Sequence, residues 1–83
     1  MDRRDIQAAV LAELSRIAPE IEPGEVAPAT PLRDQVDLDS MDWLNFLMAL
    51  HEKLKVDIPE SEYANLGTLD QIVDYLVRRS RVS

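Results

Sequence analysis

Ser40 is the residue of this chain best placed to do chemistry, because it sits in Asp39-Ser40-Met41-Asp42 at the head of a helical stretch. An aspartate just before such a stretch is a preferred helix cap. The first turn of a helix presents unpaired backbone N–H groups and a partial positive charge. A phosphate ester on a hydroxyl at that point is electrostatically favoured, and Ser40, at the first turn, meets that condition. Asp39 stands at the capping position itself.

Ser40 does not read as a nucleophile of an enzyme. A catalytic serine needs a base within hydrogen-bond reach, and the only histidine, His51, lies eleven residues along the same predicted helix, roughly 16 Å away at 1.5 Å per residue. His51 continues a row formed by Met41, Leu44 and Met48, so a contact with partners is open to it. A plain solvent-exposed histidine is the preferred reading. Asp37 and Asp39 hint at a calcium loop, but Met41, Asp42 and Met48 stand where an EF-hand requires an oxygen ligand, a glycine and a terminal glutamate. Neither catalysis nor a metal is expected.

The helix that must position Ser40 is apolar on two sides. From the serine, Trp43, Phe46, Leu47, Leu50 and Leu54 fall at offsets of three, six, seven, ten and fourteen, the spacing of a face buried against other helices. Met41, Leu44 and Met48 form a second row, interleaved with Asp42, Asn45 and Glu52. A chain of 83 residues cannot bury both, so the second row is expected to meet a partner.

The remaining elements follow from periodicity and punctuation. Asp2 can cap a first helix over Arg3 to Ile17, with Ile6, Val10, Leu14 and Ile17 on one stripe. Pro19, Pro23, Gly24, Pro28 and Pro31 then impose a long loop, which Val26, Leu32, Val36 and Leu38 can pin to the helices. Thr30-Pro31 can start one helical turn at Leu32. The second helix runs from Ser40 to Leu54, with Lys53 and Lys55 near its C-terminal end where the macrodipole favours cations, and Pro59 forbids its continuation. A short third helix fits Glu60 to Asn65, with Gly67 as its stop. Thr68-Leu69-Asp70-Gln71 has the capping-box pattern and opens a last helix through Leu69, Ile72, Val73, Leu76 and Val77. Arg78, Arg79 and Arg81 complement its negative end. The expected fold is all-α, a four-helix bundle with a long first loop and a short third helix, forming one domain over 1–83.

Composition restricts the partners. Sixteen acidic against nine basic residues give a net charge of −7, which disfavours nucleic acid and anionic lipid surfaces and favours basic proteins. Between Asp34 and Glu62 there are eight acids (34, 37, 39, 42, 52, 57, 60, 62) against Lys53 and Lys55, so −6 of the −7 surrounds Ser40 and its helix. The chain has no cysteine and no leading apolar run. A cytoplasmic protein without disulfides or a membrane span is expected.

The segment from Thr30 to Leu76 resembles acyl carrier proteins, whose Asp-Ser-Leu signature is matched by Asp39-Ser40-Met41. Met48-Ala49-Leu50 resembles the helix after the serine, Val56-Asp57-Ile58-Pro59 the Ile-Pro turn behind it, and Val73-Asp74-Tyr75-Leu76 the closing helix. The resemblance implies that Ser40 carries 4'-phosphopantetheine derived from coenzyme A and attached by a separate phosphopantetheinyl transferase, and that Asp39, besides capping the helix, can offer a carboxylate near that enzyme's metal, since one carboxylate can do both. An acyl group would then be held on that arm as a thioester. It also implies a docking face of Met41, Asp42, Leu44, Asn45, Met48, Glu52, Asp57 and Glu60, met by Arg and Lys of acyl-loading and acyl-processing enzymes. Trp43, Phe46, Leu47 and Leu50 are the candidates to line a cavity for the acyl chain, although Trp43 reads first as a core aromatic. A monomer is expected.

Three positions depart from the family pattern. Asp37 stands where a glycine is usual, Trp43 where the family has a small or polar residue, and Asn45 where it has glutamate. Asp37 can adopt a left-handed turn at some cost. The loss of a charge at Asn45 points away from the housekeeping fatty-acid enzymes and towards a dedicated carrier in specialised metabolism. Two alternatives stay open: a carrier of aminoacyl or polyketide intermediates, although a Gly-Gly-His-Ser type of sequence is missing, and an unmodified acidic adaptor in which Ser40 only begins a helix.

Overall fold

Asp2 and Asp39 each begin a fifteen-residue helix, and these two helices form the frame of the molecule: α1, Arg3–Ile17, and α3, Ser40–Leu54. The computed structural model describes residues 2–36 and 38–80 of the chain. Between the two long helices lie a 3-10 turn, Pro23–Glu25, and a single helical turn, α2, Leu32–Gln35. A second 3-10 helix, Glu60–Asn65, precedes α4, Leu69–Ser80. No strand occurs among the described residues; Pro31 and Thr68 form one isolated antiparallel bridge. The fold is the all-α bundle expected, with the long first loop in place and the short third helix wound as 3-10.

The helix ends have local causes. Asp2 accepts from the Asp5 backbone N–H at 2.9 Å, and Asp39 from that of Asp42 at 2.8 Å. At α4 the capping box closes in both directions. Thr68 Oγ1 accepts from the Gln71 N–H at 3.1 Å, while Gln71 Oε1 accepts from the Thr68 N–H at 3.0 Å. Gly67 does not end the third helix as a left-handed cap. Leu66 closes it by donating to the Tyr63 carbonyl, and no described glycine has positive φ. The left-handed residue is instead Lys55, at φ 55° and ψ 40°, where α3 stops.

The core is the sum of the inward stripes. Ile6, Val10 and Leu14 of α1, Phe46, Leu47 and Leu50 of α3, and Leu69, Ile72, Val73 and Leu76 of α4 are all almost fully enclosed. Burying each such side chain contributes about 1.5–3 kcal/mol. α1 packs chiefly on α4 and α3. Glu13, a charged residue of α1, is buried among them and is paired twice, with Arg16 Nε at 2.9 Å and Lys53 Nζ of α3 at 3.5 Å. Pairing of this kind is the condition for keeping a buried carboxylate charged. Arg3 ties the start of α1 to Asp70 and Asp74 on α4.

The long loop is packed, not free. Leu32, Val36 and Leu38 are buried and Val26 packs against the core. The Leu32 N–H donates to the Gly67 carbonyl at 2.8 Å, and the Asp70 N–H donates to that of Pro28 at 3.1 Å. Gln35 closes the loop on itself. Its Nε2 donates to the carbonyls of Ala27 and Thr30, both at 2.8 Å, and its Oε1 accepts from the Ala27 N–H at 2.7 Å. These bonds anchor the chain to the start of α4 shortly before it enters α3, and so help to fix where Ser40 emerges.

Candidate functional site

Ser40 is the first residue of α3 and is exposed. Its position is set from both sides. Asp39 has extended backbone (φ −84°, ψ 179°), holds the first turn through the Asp42 N–H, and accepts from the Trp43 N–H through its carbonyl at 3.0 Å. Leu38, the residue before the cap, and Trp43, four residues after it, are both buried in the core cluster. These are the positions of a hydrophobic staple, which fixes the angle at which a chain enters a helix. Leu38 and Trp43 thus belong to the support of the site. The staple could have been read from their spacing around Asp39, and it is the signal that sequence reasoning passed over.

The two rows of α3 separate as expected. Trp43, Phe46, Leu47 and Leu50 are between 0% and 8% exposed, whereas Met41, Leu44 and Met48 are 66%, 38% and 54% exposed. Trp43 stacks obliquely on Phe46, with ring centroids 5.5 Å apart and planes inclined by 43°. Its place is in the core, as an aromatic pair with Phe46. Along α3, Asp39, Asn45 and Glu52 are exposed and Asp42 is half-buried, and Asp57 and Glu60 are exposed beyond its end. One helix, α3, therefore presents an accessible hydroxyl at its start and an exposed apolar row along its length, with the carboxylates of Asp39 and Glu52 exposed on the same stretch. The turn expected at Asp37 falls outside the described residues, as does Arg81.

Three basic or titratable side chains stand where expected and make a further contact each. His51 is exposed, but it is not merely solvated: Nδ1 lies 2.8 Å from the Val56 carbonyl. A carbonyl can only accept, so Nδ1 carries the proton and donates. The bond closes the turn around left-handed Lys55. Lys53, in the last turn of α3 as expected, also reaches Glu13 on α1. Arg79 covers the Tyr75 ring at 5.1 Å, and the Tyr75 hydroxyl donates to the Asp57 carbonyl at 3.2 Å. Tyr75 thereby ties α4 to the turn that follows α3.

Ser40 Oγ is open to modification from outside the molecule, because the residue is exposed. Among the described residues, no group of three or more His, Cys, Asp or Glu side chains could hold a metal ion. No described helix is long and apolar enough to cross a membrane. A bulky ester on Ser40 Oγ fits, since the side chain is at the surface and at the positive end of α3. The helix field favours an anion there by about 0.3–1 kcal/mol, while Asp39 and Asp42 oppose it. A covalently held group does not depend on that balance, so accessibility of the hydroxyl decides the fit.

Comparison with known proteins gives a consistent result. A family model described as a phosphopantetheine attachment site matches residues 8–76. The acyl carrier protein of Rubrobacter xylanophilus is 30% identical over 77 residues, covering 93% of this chain and 94% of that protein. The meromycolate extension acyl carrier protein of Mycolicibacterium aurum is 33% identical over 73 residues, covering 84% of this chain and 75% of its own length. Among solved structures, that of the acyl carrier protein from Enterococcus faecalis aligns with a TM-score of 0.79 over 95% of this chain and 99% of that one. At 22% identity this last is a likeness of fold.

Proposed function

The chain belongs to the phosphopantetheine-bearing acyl carrier family, and on that premise we propose that Ser40 is the residue to which the arm is attached. Members of the family carry acyl groups and are served by phosphopantetheinyl transferases and acyl-processing enzymes, without catalysing the acyl chemistry themselves. When bound, the arm supplies a terminal thiol on which the acyl group is held as a thioester. The observation that carries the assignment is the exposed Ser40 hydroxyl at the Asp39-capped start of α3, within the matched segment.

The roles of the surrounding residues follow. Asp39 holds the first turn so that Ser40 stays presented. Met41, Leu44 and Met48 supply apolar contact to partner enzymes, and Asp42, Asn45, Glu52, Asp57 and Glu60 surround that contact with polar groups met by Arg and Lys. Charge of this kind steers encounter more than it adds affinity. Trp43, Phe46, Leu47 and Leu50 are the side chains an acyl chain would have to part in order to enter the bundle. The domain spans 1–83, acts in the cytoplasm as a monomer, and serves fatty-acid or specialised lipid metabolism. Trp43 and Asn45 favour the dedicated over the housekeeping role, and one relative bears the name meromycolate extension acyl carrier protein.

The test is direct. Incubated with coenzyme A, magnesium and a promiscuous phosphopantetheinyl transferase, the protein is expected to gain one phosphopantetheinyl group by intact mass, and Ser40→Ala none. An unchanged wild-type mass would leave an unmodified helical adaptor as the better description. Capture of the native thioester would identify the cargo.

A further inference from the structure

Met41 and Met48 are the two most exposed large apolar side chains among the described residues. They lie seven residues apart on α3, about two turns, and therefore on one side of the helix. None of the buried core residues is a methionine, and the chain has no cysteine. In the protein before attachment of the arm, the described sulfur atoms are thus confined to this one surface. Susceptibility of a thioether to oxidation follows its exposure. We propose that Met41 and Met48 are a peroxide-sensitive modification site, and that their conversion to sulfoxides reversibly weakens engagement of partner enzymes. The inference rests on the reading of this face as the docking surface.

The reaction is a two-electron oxygen transfer from hydrogen peroxide. A sulfur lone pair attacks one peroxide oxygen, the S–O bond forms as the O–O bond breaks, and the displaced hydroxide takes up the proton given off by the transferred oxygen and leaves as water. Sulfur is oxidised and the peroxide reduced. The reverse step needs a dithiol acting through sulfoxide reductases, one for each epimer; it returns the thioether and gives a disulfide and water. The consequence is physical. An apolar, adaptable side chain becomes a strongly polar one, and a partner pocket shaped for thioethers leaves the new S=O without a donor. Because no core methionine is touched, the bundle stays folded while its outer face changes character.

The experiment compares each protein with its own peroxide-treated sample, the oxidant being removed before assay. Wild type and M41L/M48L are treated with hydrogen peroxide before arm attachment. Peptide mass spectrometry locates the added oxygen, and helix content is followed by circular dichroism. KM and kcat for the carrier are then measured with the transferase. In wild type, oxidation at Met41 and Met48 is expected to raise KM on the order of tenfold with helix content unchanged, and reductases with dithiol are expected to reverse it. KM of M41L/M48L should not respond to peroxide. An unmoved wild-type KM, a rise that persists in M41L/M48L, loss of helix on oxidation, or failure of the reductases to restore KM would each overturn the proposal. Leu44→Asp separates it from the docking reading. If Leu44→Asp raises KM and oxidation does not, only the redox inference fails; if neither moves KM, the docking face itself is wrong.

Discussion

α1 and α3 start in the same way and end up doing different things. Each is preceded by aspartate in extended backbone, at φ −86°, ψ 176° for Asp2 and φ −84°, ψ 179° for Asp39. Each cap accepts from the N–H three residues on, within an Asp-x-x-Asp sequence. What differs is the neighbourhood. After Asp2 comes Arg3, a cation at the wrong end of a helix dipole, held to α4 by Asp70 and Asp74. After Asp39 comes a neutral hydroxyl, exposed to solvent. The outward side of α1 carries Arg4, Asp5, Ala8, Ala12 and Arg16, whereas that of α3 carries Met41, Leu44 and Met48. A well-made cap fixes where a helix begins, but it does not make a site. A site needs the reactive residue at the first position and a face that another protein can recognise.

The strongest attempt to break that contrast gives α1 a serine. Arg3→Ser creates an Asp-Ser dipeptide on an equivalent cap, and the variant is expected to take up one phosphopantetheinyl group, as wild type does, by intact mass. Two groups would show that the capped serine alone suffices. The next largest effect lies between the two rows of α3. Phe46→Ala is expected to cost about 3–5 kcal/mol in urea unfolding, and Leu44→Ala within about 0.5 kcal/mol. Comparable losses would mean that the outward row is part of the core.

The caps themselves supply a finer test. Asp2→Ala and Asp39→Ala are each expected to destabilise the fold by about 1 kcal/mol, yet only Asp39→Ala should slow modification of Ser40 by the transferase. Equal rates would reduce Asp39 to the role that Asp2 has. Smallest of all is the other end of α3. Lys55→Gly relieves a left-handed β-carbon and is expected to stabilise by about 0.5–1 kcal/mol, visible as a small rise in melting temperature.

Local signals were sufficient for much of this fold. Asp2, Asp39 and Thr68-Gln71 mark helix starts because a capping side chain acts on N–H groups within three residues of itself. The stripes of α1 and α3 were legible because burial on one side imposes a 3.6-residue period. Pro19 and Pro59 mark limits because the ring removes a donor from its own residue. The exposure of Met41, Leu44 and Met48 followed from arithmetic, since a chain this short has too little interior for two apolar rows on one helix.

Other features depended on residues far apart in the chain. That Lys53 would reach Glu13, that the loop carbonyl of Pro28 would receive the N–H of Asp70, and that Tyr75 would bond the Asp57 carbonyl are pairings set by how the elements pack. The 3-10 winding of Glu60–Asn65 and the bond from His51 to Val56 belong with them. Nothing in the side chains of Lys55 requires a positive φ; the sharp turn between α3 and the 3-10 helix does. Periodicity and caps thus settled which segments are helical and which side of each is apolar, because those effects act within a turn or two. Packing alone decided which polar groups meet and how firmly the first turn of α3 is braced, because those energies exist only once distant segments are brought into contact.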